Sequence, residues 1–400
     1  MACTRRVFLT TASGVALSTR LAASSVQGAN NRIRIAVIGT GGRARGLMNQ
    51  LKPLAGVEIV GLCDVFEPRL LQAAEIAGPA AIKTDDYRRL LDDKEIDAVL
   101  IGSPDHWHKQ MTLDAVAAGK DVYVEKPVSH TIAEGAEMVK AIEASKQIVQ
   151  TGTQQRSWEH YIQGKEIVQS GKLGQITFVQ SYWYQHARKG TWPAAMPDKL
   201  DWKKWLGPAK DQPFKPERFY QWRHFWDFGG GQLTDLMTHW IDVVHWYMNV
   251  EAPISAYTSG SSYNMKMWEA PDTVSTTLEF PNNFTCAHLG TYVSRVDDGG
   301  LEFRGELGTL KIDRARLAFY KDDAPYKAGT LTPEPEILIQ SKADGSIAHL
   351  QNWLDCIRSR QQPNAHIRVG HQAARTGHIA NASLRAGKVV RWNSARERID

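Results

Sequence analysis

The run Arg32–Ala44, RIRIAVIGTGGRA, decides the fold of this chain. It reads as a buried strand that enters a glycine-rich turn at once. Gly39, Gly41 and Ala44 fit the pattern G-x-G-x-x-G/A. The first glycine permits a tight turn, and the second lets backbone come close to a pyrophosphate. The small third residue lets the following helix pack on the strand. Gly42 and Arg43 complete the turn, and the helix amides beyond it face the phosphates. Glycine-rich turns are common, so the context decides. A second strand, VEIVGLCD (57–64), follows, and it ends in Asp64, 23 residues beyond Gly41. A carboxylate there accepts hydrogen bonds from a ribose diol, which favours NAD and leaves NADP open. The competing reading is an ordinary α/β turn with a capping acid.

Outward from this run, strands and helices alternate to about residue 152. IDAVLIG (96–102), DVYVE (121–125) and QIVQTG (147–152) are short apolar runs with helical stretches between them. Such alternation means a parallel, doubly wound sheet. The pattern then changes. Alternating runs at 176–185, 273–280, 285–293, 301–305 and 317–321 suggest an antiparallel sheet. One helix is expected near 231–248, and two more near 347–359 and 369–386. The division expected is a leader over 1–29, a first domain over 30–152 and a second over 153–400. The last helices could pack back on the first domain.

The leader is read from Arg5-Arg6, a mildly apolar run at 12–17 and small residues up to Ala29. This is the plan of a twin-arginine signal peptide, with a periplasmic or extracytoplasmic destination. A disordered tail with a chance Arg-Arg is the alternative. The apolar run is too short to span a bilayer. The chain has 400 residues, 42% hydrophobic and 23% charged, which suits two or three soluble domains. Net charge is +5, and three of the arginines lie in the leader, so the body has no basic bias towards nucleic acid or membrane. Four cysteines, widely spaced, make neither a disulfide framework nor a zinc pattern.

Three further clusters carry chemistry. The strand IDAVLIG (96–102) runs into Ser103-Pro104-Asp105-His106-Trp107-His108, at the end of the sheet where ligands bind. The strand DVYVE (121–125) runs into Lys126-Pro127. A lysine there can hydrogen-bond a substrate hydroxyl, or it is a surface lysine in a turn. The third cluster is GGGQLTD (229–235), followed by His239 and Asp242. Spacing of i, i+4 and i+7 puts Asp235, His239 and Asp242 on one face of one buried helix. Asp235 could orient His239 as a general base, or orient the substrate, or the two are a satisfied polar pair in the core. A metal on Asp235, His239 and His245 lacks any recognised ligand spacing, so no metal is expected. Nine of the thirteen tryptophans lie between 151 and 250. Some could rim a sugar site, although most such residues simply pack.

AVIGTGGRA, the Asp64 strand end, SPDHWH, VYVEKP and GGGQLTDLMTHWID together resemble the Gfo/Idh/MocA family of oxidoreductases. The resemblance runs from about residue 32 to the C-terminus. It implies an N-terminal α/β Rossmann domain and a C-terminal α+β domain with a large, open, mainly antiparallel sheet. It implies NAD(P) and a sugar, inositol or polyol substrate. Lys126 takes the place of the family lysine, and Asp235 and His239 that of the catalytic pair. Ser103, Pro104 and His108 take the cofactor-side loop, with Glu125 beside it. Gln155 and Arg156 resemble positions that reach the active site; Tyr184, His186 and His378 are further candidates for the cleft. Some relatives are glycosidases that oxidise a sugar transiently, and those tend to lack the EKP lysine. The reading is therefore a dehydrogenase acting on a secondary hydroxyl, with an NAD-recycling glycosidase as the alternative. A cofactor-bound sugar-binding protein without turnover is a third possibility. A homo-oligomer is expected through the second sheet.

Overall fold

A computed structural model describes residues 32–187, 190, 192–322, 327–329 and 333–400. The leader lies outside the described residues. Six strands build the first sheet: β1 Ile33–Ile38, β2 Val57–Cys63, β3 Ile82–Thr84, β4 Ala98–Ile101, β5 Asp121–Val124 and β6 Val149–Thr151. All neighbours are parallel, in the order β3-β2-β1-β4-β5-β6. The order reverses between β1 and β4, and the crevice at that switch point receives the ligand in open α/β sheets. β1, β4 and β5 read as near-continuous apolar runs because helices cover both faces of the sheet.

The second sheet has ten strands. They are β7 Ile176–Tyr184, β8 Ser255–Ser261, β9 Thr273–Phe280, β10 Phe284–Thr291, β11 Gly299–Gly305, β12 Gly308–Ile312, β13 Arg316–Lys321, β14 Ile337–Gln340, β15 Val390–Asn393 and β16 Arg398–Ile399. Their order is β14-β13-β12-β11-β7-β10-β9-β8-β15-β16. All the pairs are antiparallel except β7 with β10. β9 alternates strictly, Val274, Thr276, Leu278 and Phe280 buried and Ser275, Thr277 and Glu279 exposed, as one covered face requires. Helix Met237–Met248 lies on that covered face, with Trp240, Ile241, Val243 and Val244 fully buried.

The single helix expected near 231–248 is two helices. Gly231–Asp235 ends at Leu236, and Met237–Met248 begins beyond it. Leu236 sits at φ −101° and ψ −46°, off the regular helical path. Gly231 has φ +61°, and a Cβ there would come within 2.5 Å of the Ala270 Cβ, so only glycine fits the start of this unit.

The sequence boundary at 152 does not divide the cores. Leu350, Trp353 and Leu354 of helix Gly345–Ser359 pack with Ile35, Leu47 and Tyr123 in the first domain. Helix Ile367–Ala386 lies against helix Ile132–Glu143 on one side and β8 on the other. Among the described residues no helix is long and apolar enough to cross a membrane.

Candidate active site

The glycine-rich turn is shaped as its residues dictate. Gly39 has φ +79°, and a Cβ would sit 2.6 Å from the Ser103 amide nitrogen. Added Cβ atoms at Gly41 and Gly42 meet nothing within 4 Å, so the backbone there faces open space. Ala44 is fully buried against Gly102. One Asp64 oxygen accepts from the Thr40 amide at 2.8 Å, and the other from the Phe66 amide at 2.9 Å. The carboxylate is thereby fixed at the rim of a cleft of about 410 Å³ that also meets Gly39, Gly41, Ser103 and Pro104. Open backbone, a helix N-terminus and a fixed acid at the strand end fit a dinucleotide's pyrophosphate and ribose.

Arg43 leaves the first helical turn and gives its Nε to Glu125 at 2.8 Å. Burial pushes the Glu125 carboxyl up, but Arg43 and Lys126 outweigh it and hold it below its ordinary range. His108 is buried, with Nδ1 2.7 Å from the Pro127 carbonyl and Nε2 3.0 Å from that of Ser103. Both ring nitrogens face the two loops; burial favours the neutral ring, whose single N–H donates to one of these carbonyls, and neither nitrogen is turned to a cofactor. His106 likewise faces inward, its Nε2 at the Trp205 carbonyl.

The cleft continues into a second cavity of about 440 Å³. Arg43, Gly102, Ser103, Tyr220, Trp222 and Arg223 border both. Lys126, Asp235 and His239 meet in this second cavity. Lys126 Nζ donates to the Asp235 carboxylate at 2.5 Å and to its carbonyl at 2.7 Å. An ammonium has three donors, so one remains for the cavity. Burial acts upward on Asp235, yet Lys126 and Arg223 hold it well below the usual carboxylate range. His239 stacks on Trp183, ring centroids 5.5 Å apart. Neither of its ring nitrogens has a hydrogen-bond partner among the described residues, and Nδ1 is buried. Burial first, then the charges of Lys126, Arg314 and Arg43, pushes His239 well below its ordinary value. It is a neutral imidazole at pH 7.

This arrangement corrects the expected helix-face relay. Asp235 belongs to the preceding helix and accepts from Lys126 and, at 3.3 Å, from Arg223 Nε. It holds the lysine and does not bond His239. Asp242 is also elsewhere: it is fully buried, with both oxygens 2.9 Å from Arg156 Nε. Arg156 is therefore half of a buried ion pair and does not line the cavity. Gln155 is fully buried beside it, and the neighbour that reaches the cavity is Gln154. Tyr184 packs at a tilt against Tyr182 and does not line the cavity, flanked by Trp183 and Gln185, which do. His186 is exposed, and His378 Nε2 lies 3.1 Å from the Ser129 carbonyl. His245, a metal candidate in the sequence, contacts Thr376 instead.

Sequence reading missed Asp105, Arg223, His224 and Arg314, all in the cavity wall. Asp105 was in view within SPDHWH; burial raises its carboxyl well above the usual range. His224 stacks on Trp268 at 3.5 Å, and burial pushes it down to about 3. Trp183, Trp222 and Trp268 do face the cavity, whereas Trp205 and Trp240 are core.

Residues 33–153 match the oxidoreductase family's NAD-binding Rossmann fold, and residues 165–391 match its C-terminal alpha/beta domain. The chain belongs to the Gfo/Idh/MocA family of oxidoreductases, and its first domain is the NAD-binding one. Inositol 2-dehydrogenase of Salmonella typhimurium (strain LT2) is 27% identical over 197 residues, 49% of this chain and 48% of that protein. The chain thus matches about half the length of such curated relatives. A glycosyl hydrolase family 109 protein of Solibacter usitatus is 35% identical over 127 residues, 29% of each chain. The crystal structure of myo-inositol 2-dehydrogenase from Lactobacillus plantarum superposes with a TM-score of 0.69 at 22% identity, over 90% of this chain and 99% of that one.

Proposed function

We propose that this protein is an NAD-dependent dehydrogenase that oxidises a secondary hydroxyl of a sugar or polyol. The observation that carries this reading is the third Lys126 donor beside a neutral His239 that has no hydrogen-bond partner among the described residues, in a cavity that shares its border with the dinucleotide cleft. Gly39, Gly41, Gly42, Ala44, Asp64, Ser103 and Pro104 would hold the cofactor, with Arg43 and Glu125 at the junction. The nicotinamide, when bound, supplies the hydride acceptor. Lys126 polarises the hydroxyl oxygen, and His239 takes its proton. Asp235 fixes the Lys126 ammonium at the reacting oxygen, and the aromatic walls exclude water and take the apolar face of the ring.

The test begins with mass spectrometry of the cofactor released from purified protein. A panel of sugars, polyols and glycosides then follows, read by nicotinamide absorbance. Substrate-dependent NADH formation is expected, with NAD bound more tightly than NADP because Asp64 opposes a 2′-phosphate. Free sugar released from a glycoside without net NADH would establish the glycosidase reading instead. Sugar binding that never changes the absorbance would leave a binding protein.

Assembly and location belong to the same proposal. Tyr257 and Leu289 lie exposed on the outer face of the second sheet, which favours pairing with a second copy of this chain. Sedimentation velocity that finds only monomer at micromolar concentration would end that idea. Arg5-Arg6 supports twin-arginine export, so Arg5→Lys/Arg6→Lys should leave precursor in the cytoplasm. Normal processing of the double variant would reject the route.

A further inference from the structure

Among the described residues one cation of the cavity has no anion. Glu125 receives Arg43, and Asp235 receives Lys126 and Arg223. Arg314 reaches the same cavity, and among the described residues it makes neither an ion pair nor a hydrogen bond. Its Nε is buried without a partner. Its guanidinium lies 4.7 Å from the Trp183 ring centroid and 5.9 Å from that of Trp240. Trp183 in turn stacks on His239, so the free guanidinium stands beside the proposed base.

The placement is built into the hairpin between β12 and β13. The Asp313 carboxylate is nearest in sequence, yet it accepts from the amides of Ala315 at 2.7 Å and Arg316 at 2.8 Å. The Asp313 carbonyl lies 2.8 Å from His160 Nε2. The turn is thereby fixed at both ends of Asp313: one carboxylate oxygen is taken by backbone and the other lies 3.9 Å from Arg316 Nε, so the acid does not pair with Arg314. A half-buried guanidinium is normally paired or left in water. Here the geometry keeps it over an indole and turned into a ligand cavity. Burial already pulls it below its ordinary value, a penalty that an arriving anion would offset.

We propose that Arg314 binds a carboxylate on the substrate, so that the sugars taken by this site are sugar acids, uronates or aldonates. The inference rests on the dehydrogenase reading and narrows its substrate class. A single planar fork matches two oxygens of a carboxylate or of a phosphate, but one guanidinium balances the single charge of a carboxylate and leaves half of a phosphate dianion's charge uncompensated. The carboxylate is a handle and does not react. The secondary alcohol gives its hydroxyl proton to His239 and its carbon-bound hydride to NAD⁺, yielding a keto acid, NADH and one proton. His239 and Arg314 share Trp183, so the handle also sets which hydroxyl faces Lys126.

The test compares matched pairs: glucuronate with glucose, galacturonate with galactose, mannuronate with mannose, and gluconate with glucitol, with glucose 6-phosphate as the phosphate arm. The wild-type protein should favour at least one acid over its neutral partner by roughly tenfold or more in kcat/KM. Arg314→Gln should reduce that acid-to-neutral ratio by about the same factor, and Arg314→Lys should recover part of it. Isothermal titration of the same acids into the NAD-loaded protein separates the two readings. Saturable binding lost in Arg314→Gln, without NADH formation, supports the carboxylate site while the dehydrogenase reading fails. A wild-type preference for neutral sugars, an unchanged ratio in Arg314→Gln, or a preference for glucose 6-phosphate over every carboxylate overturns the proposal. So does absence of acid binding in a wild-type protein that oxidises neutral sugars.

Discussion

In the proposed reaction Lys126 and His239 act on the same proton, and their environments assign the roles. The lysine has two of its three donors on Asp235, which leaves one aimed at an oxygen in the cavity. The histidine is neutral because burial, assisted by Lys126, Arg314 and Arg43, disfavours its charged form. Removing one positioned acid–base group typically lowers the rate by ~10²–10⁴-fold. His239→Ala and Lys126→Ala should each do so while NAD stays bound, and the double variant should lose far less than the product of the two. Steady-state kinetics with cofactor occupancy checked by absorbance reads this out; near wild-type turnover in His239→Ala would remove it as the base. The pH sign follows from the shift. His239 stays a competent base until pH falls through a value well below 6.5, so the acid limb of kcat/KM lies there. In Lys126→Ala one of the depressing charges is gone, and the residual acid limb should move up towards 6.5.

At the scale of elements, the break at Leu236 decides what Asp235 does. A continuous helix would have stacked Asp235 over His239; two helices separate them and turn the acid to Lys126 and Arg223. Asp235→Asn should therefore reduce kcat/KM by ~10–10²-fold through the lysine and leave the acid limb in place. A large shift of that limb would restore the Asp235–His239 relay. The β1 turn was legible because local sterics dictate it: Gly39 must take a positive φ, and Ala44 must stay small against Gly102. The helix break was not, because Leu236 is an ordinary helix former and carries no stop signal. Arg314 and Arg223 were invisible for another reason, since only the tertiary fold brings a β-hairpin and a short 3₁₀ turn to the same cavity. Arg156 was placed in the wrong environment because its partner, Asp242, lies 86 residues away in the chain. That pair carries its own prediction. Asp242→Asn leaves a buried guanidinium without its charge partner, which typically costs ~3–5 kcal/mol. Denaturant unfolding should show the loss; unchanged stability with a raised KM would return Arg156 to the substrate.

For the whole molecule, the two domains share material that the sequence assigns to one of them. Tyr123 and Leu47 of the Rossmann domain pack against Leu350, Trp353 and Leu354, all fully buried, from a helix nearly two hundred residues beyond the sequence boundary. Full burial of a large apolar side chain contributes roughly 1.5–3 kcal/mol, so these three account for about 5–9 kcal/mol. The net stability of a whole domain is itself only about 5–15 kcal/mol. Helix Gly345–Ser359 is therefore structural for the cofactor domain, although it belongs in sequence to the other. Ile367 and Ala374 of the last long helix extend the same stitching on the opposite face of the parallel sheet, beside Val124 and Met138. The fragment 32–153, which contains every strand of the Rossmann sheet, should consequently lack a cooperative melt and a near-ultraviolet dichroic signal. Adding residues 345–386 in trans should restore part of both, because the missing core is a contiguous helical segment. The intact chain should unfold in one transition when followed by tryptophan fluorescence and by loss of bound NAD. An isolated 32–153 fragment that melts cooperatively and binds NAD would show that the first core closes without those helices.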